Sequence, residues 1–307
     1  MNRRDLLLRS SVLGLAAALP ARWRFDSDSP PPSKTDGAGA PPLKPPATGS
    51  IPVAFLISKG AVVIDFCGPW EVFQDTEVPG RQDSPFRLYT VAEESSPIQA
   101  SGGLKIVPDY SFATAPLPKV LVIPAQSGRS EKTLEWIRKV TATSDLTMSV
   151  CTGAFVLAGT GLLSGKSATT HHSALRGLAV EFPDVKVKPG ARFIEEGNLA
   201  TAGGLSSGID LALRVVERYF GRAVAEQTAF QMEYQGTGWL NPDSNQAYVR
   251  SGPSKTPLCP VCEMEVDPKT APSSLYKGTA YYFCSKDHKE IFDGKPDKYL
   301  AAIAAKK

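Results

Sequence analysis

After residue 50 the chain is punctuated by four short, apolar, β-branched runs: Ile51–Ser58, Phe86–Ala92, Val120–Pro124 and Leu146–Cys151. Each has strand length, and near-continuous apolarity marks strands that are buried on both faces. Helical patterns at Pro69–Asp75, Glu131–Val140, Thr152–Leu163 and Ser173–Glu181 lie among them. This alternation predicts an α/β domain with a doubly wound, mostly parallel sheet. A hairpin follows, Phe193–Glu196 and Asn198–Thr201, turning at Glu196-Gly197. The helix predicted over Ser207–Phe220 places Ile209, Leu213, Val216 and Phe220 along one face. A second helix over Ala223–Tyr234 closes the domain, which the pattern sets at residues 51–235.

The flanks lack this periodicity. Residues 22–50 are rich in proline, glycine and serine and have nothing to bury, so they read as a tether. Residues 236–256 read as a second linker, and 257–302 as a compact tail too small for a large core of its own. At the N-terminus, Arg3 and Arg4 precede an apolar run that reaches Leu19 and is interrupted by Arg9. The run is too short for a comfortable membrane span. Residues 1–21 are similar to a twin-arginine export signal, with Leu19-Pro20-Ala21 as a small-residue cleavage site. The expectation is a periplasmic or otherwise exported protein with no stable membrane span after processing. A basic N-terminus on a cytosolic protein is the alternative.

Charge narrows the partners. The formal net charge is +3, and processing removes three arginines against Asp5, leaving the chain near +1. Such a balance gives no electrostatic footprint for nucleic acid. Five cysteines, an odd number, argue against a complete disulfide framework in an exported protein.

Two of those cysteines stand apart. Cys67 reads as buried packing rather than as a second reactive thiol. Cys151 ends a predicted strand just before a predicted helix. It is either a small buried hydrophobe or a nucleophile activated by a helix N-terminus. Asp65, after the strand-like Ala61–Ile64, and His171, after the strand-like Ser167–Thr170, are placed at neighbouring strand ends, where α/β sheets bind ligands. Together they supply a thiol, a carboxyl for proton transfer and an imidazole as base or orienting group.

The residues around these positions resemble the ThiJ/PfpI family, a class I glutamine-amidotransferase-like fold. Cys151–Ala158 resembles its nucleophile elbow, Ile64–Phe73 its carboxylate segment, Leu162–His171 its post-nucleophile hairpin, and Thr201–Leu213 its glycine turn and following helix. The Asp-x-x-Gly-Pro and Cys-Thr-Gly patterns are similar to the isonitrile hydratase branch and to amidotransferase-like domains of transcription regulators. The resemblance implies a flavodoxin-like fold and no cofactor in this domain. It also implies that Cys151 adds to the carbon of a small-molecule substrate, that Asp65 handles the proton, and that Thr152 supports by hydrogen bonding. Many members dimerise, so a homodimer is a further expectation. One departure stands out: Pro124-Ala125-Gln126 replaces a glycine pair, leaving the Ala125 or Gln126 N–H as an expected oxyanion donor.

In the tail, Cys259-x2-Cys262 and Cys284-x3-His288 have the arithmetic of a tetrahedral metal site. A Cys259–Cys262 disulfide is the alternative. The surrounding residues resemble a YHS domain, which implies a bound metal ion. Three thiolates and one imidazole favour zinc, while Met264 keeps copper or another soft metal open. The expected whole is an exported cysteine-dependent hydratase or hydrolase with a metal-binding module. The competing expectation is a non-catalytic binding or stress-sensing domain whose tail handles metal.

Overall fold

The computed structural model describes residues 40–249, 256–262 and 265–304, except for the side chains of 302–304. The Arg3-Arg4 segment, most of the tether and Met264 lie outside the described residues.

Seven strands form the central sheet: β1 (Ile51–Leu56), β2 (Phe86–Ala92), β3 (Tyr110–Ser111), β4 (Val120–Ile123), β5 (Leu146–Val150), β6 (Phe193–Glu196) and β7 (Leu199–Ala202). Their order is β6-β7-β5-β4-β1-β2-β3, parallel throughout except for the β6–β7 hairpin. Side-chain alternation along each strand feeds two cores. Ile51, Val53 and Phe55 of β1 join Val120 and Val122 of β4 on one face, while Ala54 and Leu56 join Leu121 and Ile123 on the other.

Helices cover both faces. On the first lie α1 (Val63–Asp75), α5 (Ser207–Phe220) and α6 (Arg222–Gln231). On the second lie α2 (Glu131–Thr141), α3 (Gly153–Gly159) and α4 (Leu175–Glu181). α2 shows the local logic. Ser130 caps it by accepting from the Thr133 N–H at 3.1 Å, Glu131 opens it, and Arg138 and Lys139 close it. Its Trp136, Ile137 and Val140 face inward. The doubly wound architecture is as the alternation predicts.

Two local elements differ from expectation, and both carry site residues. Ala61–Ile64 is not a strand: α1 begins at Val63 and runs through Pro69, so Asp65 sits in its first turn. The β-branched run mimics a strand, but Val62 is anchored to the Ala125 carbonyl at 2.9 Å and Val63 to Ser101 Oγ at 3.1 Å. Pro69 lies inside α1, where its ring nitrogen leaves the Asp65 carbonyl without the usual helical donor. His171 does not end a sheet strand either. Ser167–Ala168 pairs only with Lys186–Val187 in a separate ribbon, and His171 caps a single turn of 3-10 helix.

Both flanking segments touch the α/β domain. Arg218 Nε donates to the Pro41 carbonyl at 3.1 Å, and Arg81 reaches the carbonyls of Pro46 and Gly49. Buried Asp210 receives the Trp239 N–H at 2.9 Å, the Tyr234 hydroxyl at 3.1 Å and Arg192 Nε at 2.7 Å. The stretch after α6 is therefore strapped onto the sheet end rather than running free.

The tail contains a hairpin, β8 (Ser273–Tyr276) and β9 (Thr279–Tyr282), followed by α7 (Lys286–Gly294) and α8 (Pro296–Ala304). Phe283 and Phe292 are fully buried, with ring centroids 5.2 Å apart, so the aromatics build its small core. Val180 of α4 belongs to the same apolar cluster, and Arg176 donates to the Tyr299 carbonyl at 2.8 Å. The tail and the α/β domain belong to one compact unit, Ala40–Lys307. No helix among the described residues is long and apolar enough to cross a membrane.

The elbow between β5 and α3 depends on one close approach. A Cβ on Gly153 would fall 2.7 Å from the Pro124 carbonyl oxygen and closer still to that of Ile123. Both obstacles are backbone, so nothing yields cheaply. Gly153→Ala is expected to destabilise the protein by about 1–3 kcal/mol, the range for overpacking, read from the denaturation midpoint in urea. An unchanged midpoint contradicts the close approach.

Candidate active site and metal centre

Cys151 occupies the turn itself, with a left-handed φ of 56° that is uncommon outside glycine. Three contacts hold it there. Its N–H donates to the Gly203 carbonyl at 2.8 Å, its carbonyl accepts from Thr170 Oγ1 at 2.8 Å, and Gly153 allows the chain to turn tightly behind it. The backbone N–H groups of Thr152 and Leu205 face the thiol and favour its anion.

Asp65 is completely buried on α1, next to the Cys151 sulfur. Its Oδ2 accepts the Ala125 N–H at 3.1 Å. Burial pushes the carboxyl up to about 6, against the hydrogen bonds from Ala125 and the thiol that lower it. Burial likewise pushes the Cys151 thiol up to about 11, and the adjacent Asp65 charge adds to the rise. A helix terminus by itself depresses a thiol. The two backbone donors pull in that direction here, but burial and the neighbouring carboxylate win. At neutral pH the pair therefore holds one proton, on sulfur, beside an ionised carboxylate.

The other expected site residues fall around this pair in different ways. Thr152 contributes through its backbone, with no capping hydrogen bond from its side chain. The Ala125 N–H is committed to Asp65, so it is not a free oxyanion donor; the donors at the sulfur come from Thr152 and Leu205. His171 bonds through Nδ1 to Ser173 Oγ at 2.8 Å, and burial, followed by His172, lowers its pKa. Among the described residues no hydrogen bond joins it to Cys151 or Asp65. Its ring lies against the place where a Cβ on Gly204 would be, 3.1 Å from Nε2 and closer to Cδ2. It therefore packs against the glycine turn that carries Leu205. Cys67 is half-buried, and burial and then Glu71 raise its pKa.

Thr170, Gly203 and Leu205 complete the elbow; they fall within the hairpin and glycine-turn segments, but the sequence does not mark their individual roles. Their contributions are a threonine hydroxyl, a backbone carbonyl and a backbone N–H, which leave no motif of their own.

In the tail, one sulfur each from Cys259, Cys262 and Cys284 and a ring nitrogen of His288 lie within 4.8 Å of one another. Cys262 and Cys284 sulfurs are 3.5 Å apart, Cys284 and His288 Nδ1 3.1 Å, and Cys259 and His288 Nδ1 3.7 Å. None of the five cysteines is in a disulfide, which removes the Cys259–Cys262 bond as an alternative. A tetrahedral ion with metal–sulfur bonds of about 2.3 Å sets its sulfurs roughly 3.8 Å apart, so the donors fit. Ser285 orders the second half of the set: it caps α7 by accepting from the His288 N–H at 3.2 Å, bringing His288 back beside Cys284.

The raised Asp65 carboxyl sets a pH signature for stability. Between about pH 4 and pH 6 the native state retains a proton that the unfolded chain releases, so stability falls as pH rises through that window. Above pH 6 the full cost is present, on the order of 3 kcal/mol. Asp65→Asn keeps an acceptor for Ala125 and removes the charge. Its Tm is expected to exceed that of the wild type at pH 7.5 and to converge with it near pH 4. Scanning calorimetry that shows equal Tm at pH 7.5 contradicts the assignment.

Comparison with known proteins agrees with this geometry. Residues 52–218 match the DJ-1/PfpI family, and residues 259–302 match the YHS domain. Isonitrile hydratase of Pseudomonas putida is 33% identical over 190 residues, covering 60% of this chain and 79% of that protein. The HTH-type transcriptional regulator CdhR of Pseudomonas aeruginosa is 28% identical over 152 residues, covering 48% of this chain and 44% of its own. Among solved structures, a ThiJ/PfpI family protein from Pseudomonas syringae has a TM-score of 0.56 at 22% identity, covering 90% of this chain and 98% of that one. DJ-1beta from Drosophila melanogaster has a TM-score of 0.53 at 19% identity, covering 61% and 100%. With the elbow cysteine, the buried carboxylate beside it and the matched span in agreement, the chain belongs to the DJ-1/PfpI family and carries a YHS domain behind its α/β domain.

Proposed function

We propose that the protein is a cysteine-dependent hydratase acting on a small electrophile of the isonitrile type, and that its YHS domain holds a zinc ion. The Asp65–Cys151 pair carries this reading. A buried carboxylate beside a protonated thiol is arranged to move one proton as sulfur forms a bond. The thiol proton passes by way of Asp65 to the isonitrile carbon while sulfur bonds to the same carbon, giving a thioimidate. Water then adds to that carbon, its proton going to nitrogen. Collapse of the adduct returns a proton to sulfur and releases an N-substituted formamide. The Thr152 and Leu205 N–H groups stabilise sulfur when it carries charge. The 33% identity to isonitrile hydratase supports this substrate class.

Zinc in the tail is supported by the three thiols and one imidazole; when bound, it cross-links segments that have little core of their own. Export through the Arg3-Arg4 segment is part of the same proposal. A fold loaded with metal before translocation suits that route.

A second reading has an observation in its favour. A thiol held at about 11 is a weak nucleophile on its own, and CdhR is named as a regulator. In that reading the α/β domain binds a ligand without turnover.

Conversion of benzyl isonitrile to its formamide separates the two. The wild type is expected to turn it over, and Cys151→Ser to lose at least a hundredfold in kcat/KM. The rate is expected to rise through about pH 6, as Asp65 ionises, and to stay level to about pH 9. Turnover that survives Cys151→Ser rules out the hydratase. Elemental analysis of the purified full chain is expected to find one zinc per chain, reduced to a small fraction by Cys262→Ser; metal-free wild type contradicts the zinc assignment.

A further inference from the structure

A cleft of about 710 Å³ lies between the α/β domain and the tail. Gln126, Thr152 and Phe155 line it on one side, and Val261, Cys262, His288 and Ile291 on the other. One of these residues adjoins the Asp65–Cys151 pair in the chain, and another adjoins a residue hydrogen-bonded to it. Thr152 follows Cys151, and Gln126 follows Ala125, whose N–H holds Asp65. Two others belong to the Cys3His set. The same space thus borders the nucleophile's elbow and the metal centre.

Its chemistry selects the ligand. Phe155, Val261 and Ile291 make the walls apolar. The ionic groups around it balance: Arg129, Lys295 and Lys298 stand against Glu181, Asp287 and Glu290, with Arg129 and Glu181 paired at 2.6 Å. A charged ligand therefore gains nothing from the cleft as a whole. Gln126 borders the cleft, and its amide oxygen and amide nitrogen are both buried without a hydrogen-bond partner. Buried amides in folded proteins are paired; turned toward the cleft, this one would pair a ligand with one acceptor and one donor, such as a formamide.

The second wall is fixed in place. Arg176 is buried and donates to the Tyr299 carbonyl at 2.8 Å, Lys298 reaches the Glu181 carbonyl at 3.3 Å, and Val180 sits in the tail's own core. These contacts all arise from α4, which borders the cleft.

We propose that this cleft is a binding site shared by the two modules for an uncharged, mainly apolar small molecule whose polar end meets Gln126 beside the elbow. The metal module is then one wall of a ligand site beside the elbow rather than an appendage. The inference deepens the hydratase reading and rests on it for the chemistry after binding, but binding itself needs no turnover.

The test uses the zinc-loaded full chain carrying Cys151→Ser, with N-benzylformamide as the probe and calorimetric titration as the readout. The probe is expected to bind, and Ala174→Trp, which fills the cleft from the α4 side, to raise Kd at least tenfold. Ile291→Trp fills it from the tail, at a residue exposed enough to accept the change, and is expected to do the same with zinc content unchanged. Removing zinc with a chelator is expected to weaken binding to a similar degree. No binding at millimolar probe, or a Kd unmoved by Ile291→Trp or by zinc removal, overturns the shared site. Isonitrile turnover by the wild type that Cys151→Ser abolishes stands whatever the titration finds, so failure of the cleft and failure of the hydratase are distinguishable.

Discussion

The elbow of this protein is organised around a single buried contact between a carboxyl and a thiol. Either group alone has an ordinary solution: the acid ionises in water and the thiol stays neutral in a core. Placed together under β4 and β5, burial raises both pKa values, the carboxyl to about 6 and the thiol to about 11. The gap between them leaves one proton for two groups near neutrality. In the proposed reaction such a thiol is activated by its neighbour as the bond forms rather than by standing as a thiolate. That also shields it from the oxidation and alkylation to which exposed thiolates are open.

Holding that contact requires several unfavourable local conformations at once. Cys151 and Leu205 both have positive φ, Gly153 lies against two carbonyls, and α1 starts early enough to carry Asp65 inward. The surrounding fold offsets them. Parallel strands packed on both faces fix the ends of β4 and β5, and the Ala125 N–H ties the carboxylate to the first of these ends. Strain concentrated at a site and compensated by a rigid scaffold is how functional geometry persists.

The sheet is legible in the sequence because buried parallel strands leave a strong signature: Ile51–Leu56, Val120–Ile123 and Leu146–Val150 are apolar at almost every position. The elbow cysteine and the four tail ligands are legible for a different reason, since their spacing reflects local geometry. Asp65 stands out as a residue but not in its place, because Ala61–Ile64 has the composition of a strand and owes its helical start to tertiary anchors at Ala125 and Ser101. His171 likewise stands out as a residue, but its packing on the Gly204 turn is not written in its neighbours. A strand-like run before it does not reveal that the run is a two-residue ribbon outside the sheet. Nor does a helix start after Cys151 reveal a raised thiol, since burial is a property of the whole fold and no local pattern encodes it.

Mutual need in packing accounts for the place of the metal module. α4 has only seven residues and lies at the edge of the second core, so it gains from being covered. The tail, in turn, is too small to stabilise itself without a metal and borrows Val180 and the Arg176 side chain. Each part supplies what the other lacks. A metal held in the tail would therefore support a surface of the α/β domain as well as its own hairpin. That surface leads from α4 through Phe155 and Thr152 to the elbow. In the proposed reading the two sites are linked by shared packing, without any direct contact between metal and nucleophile.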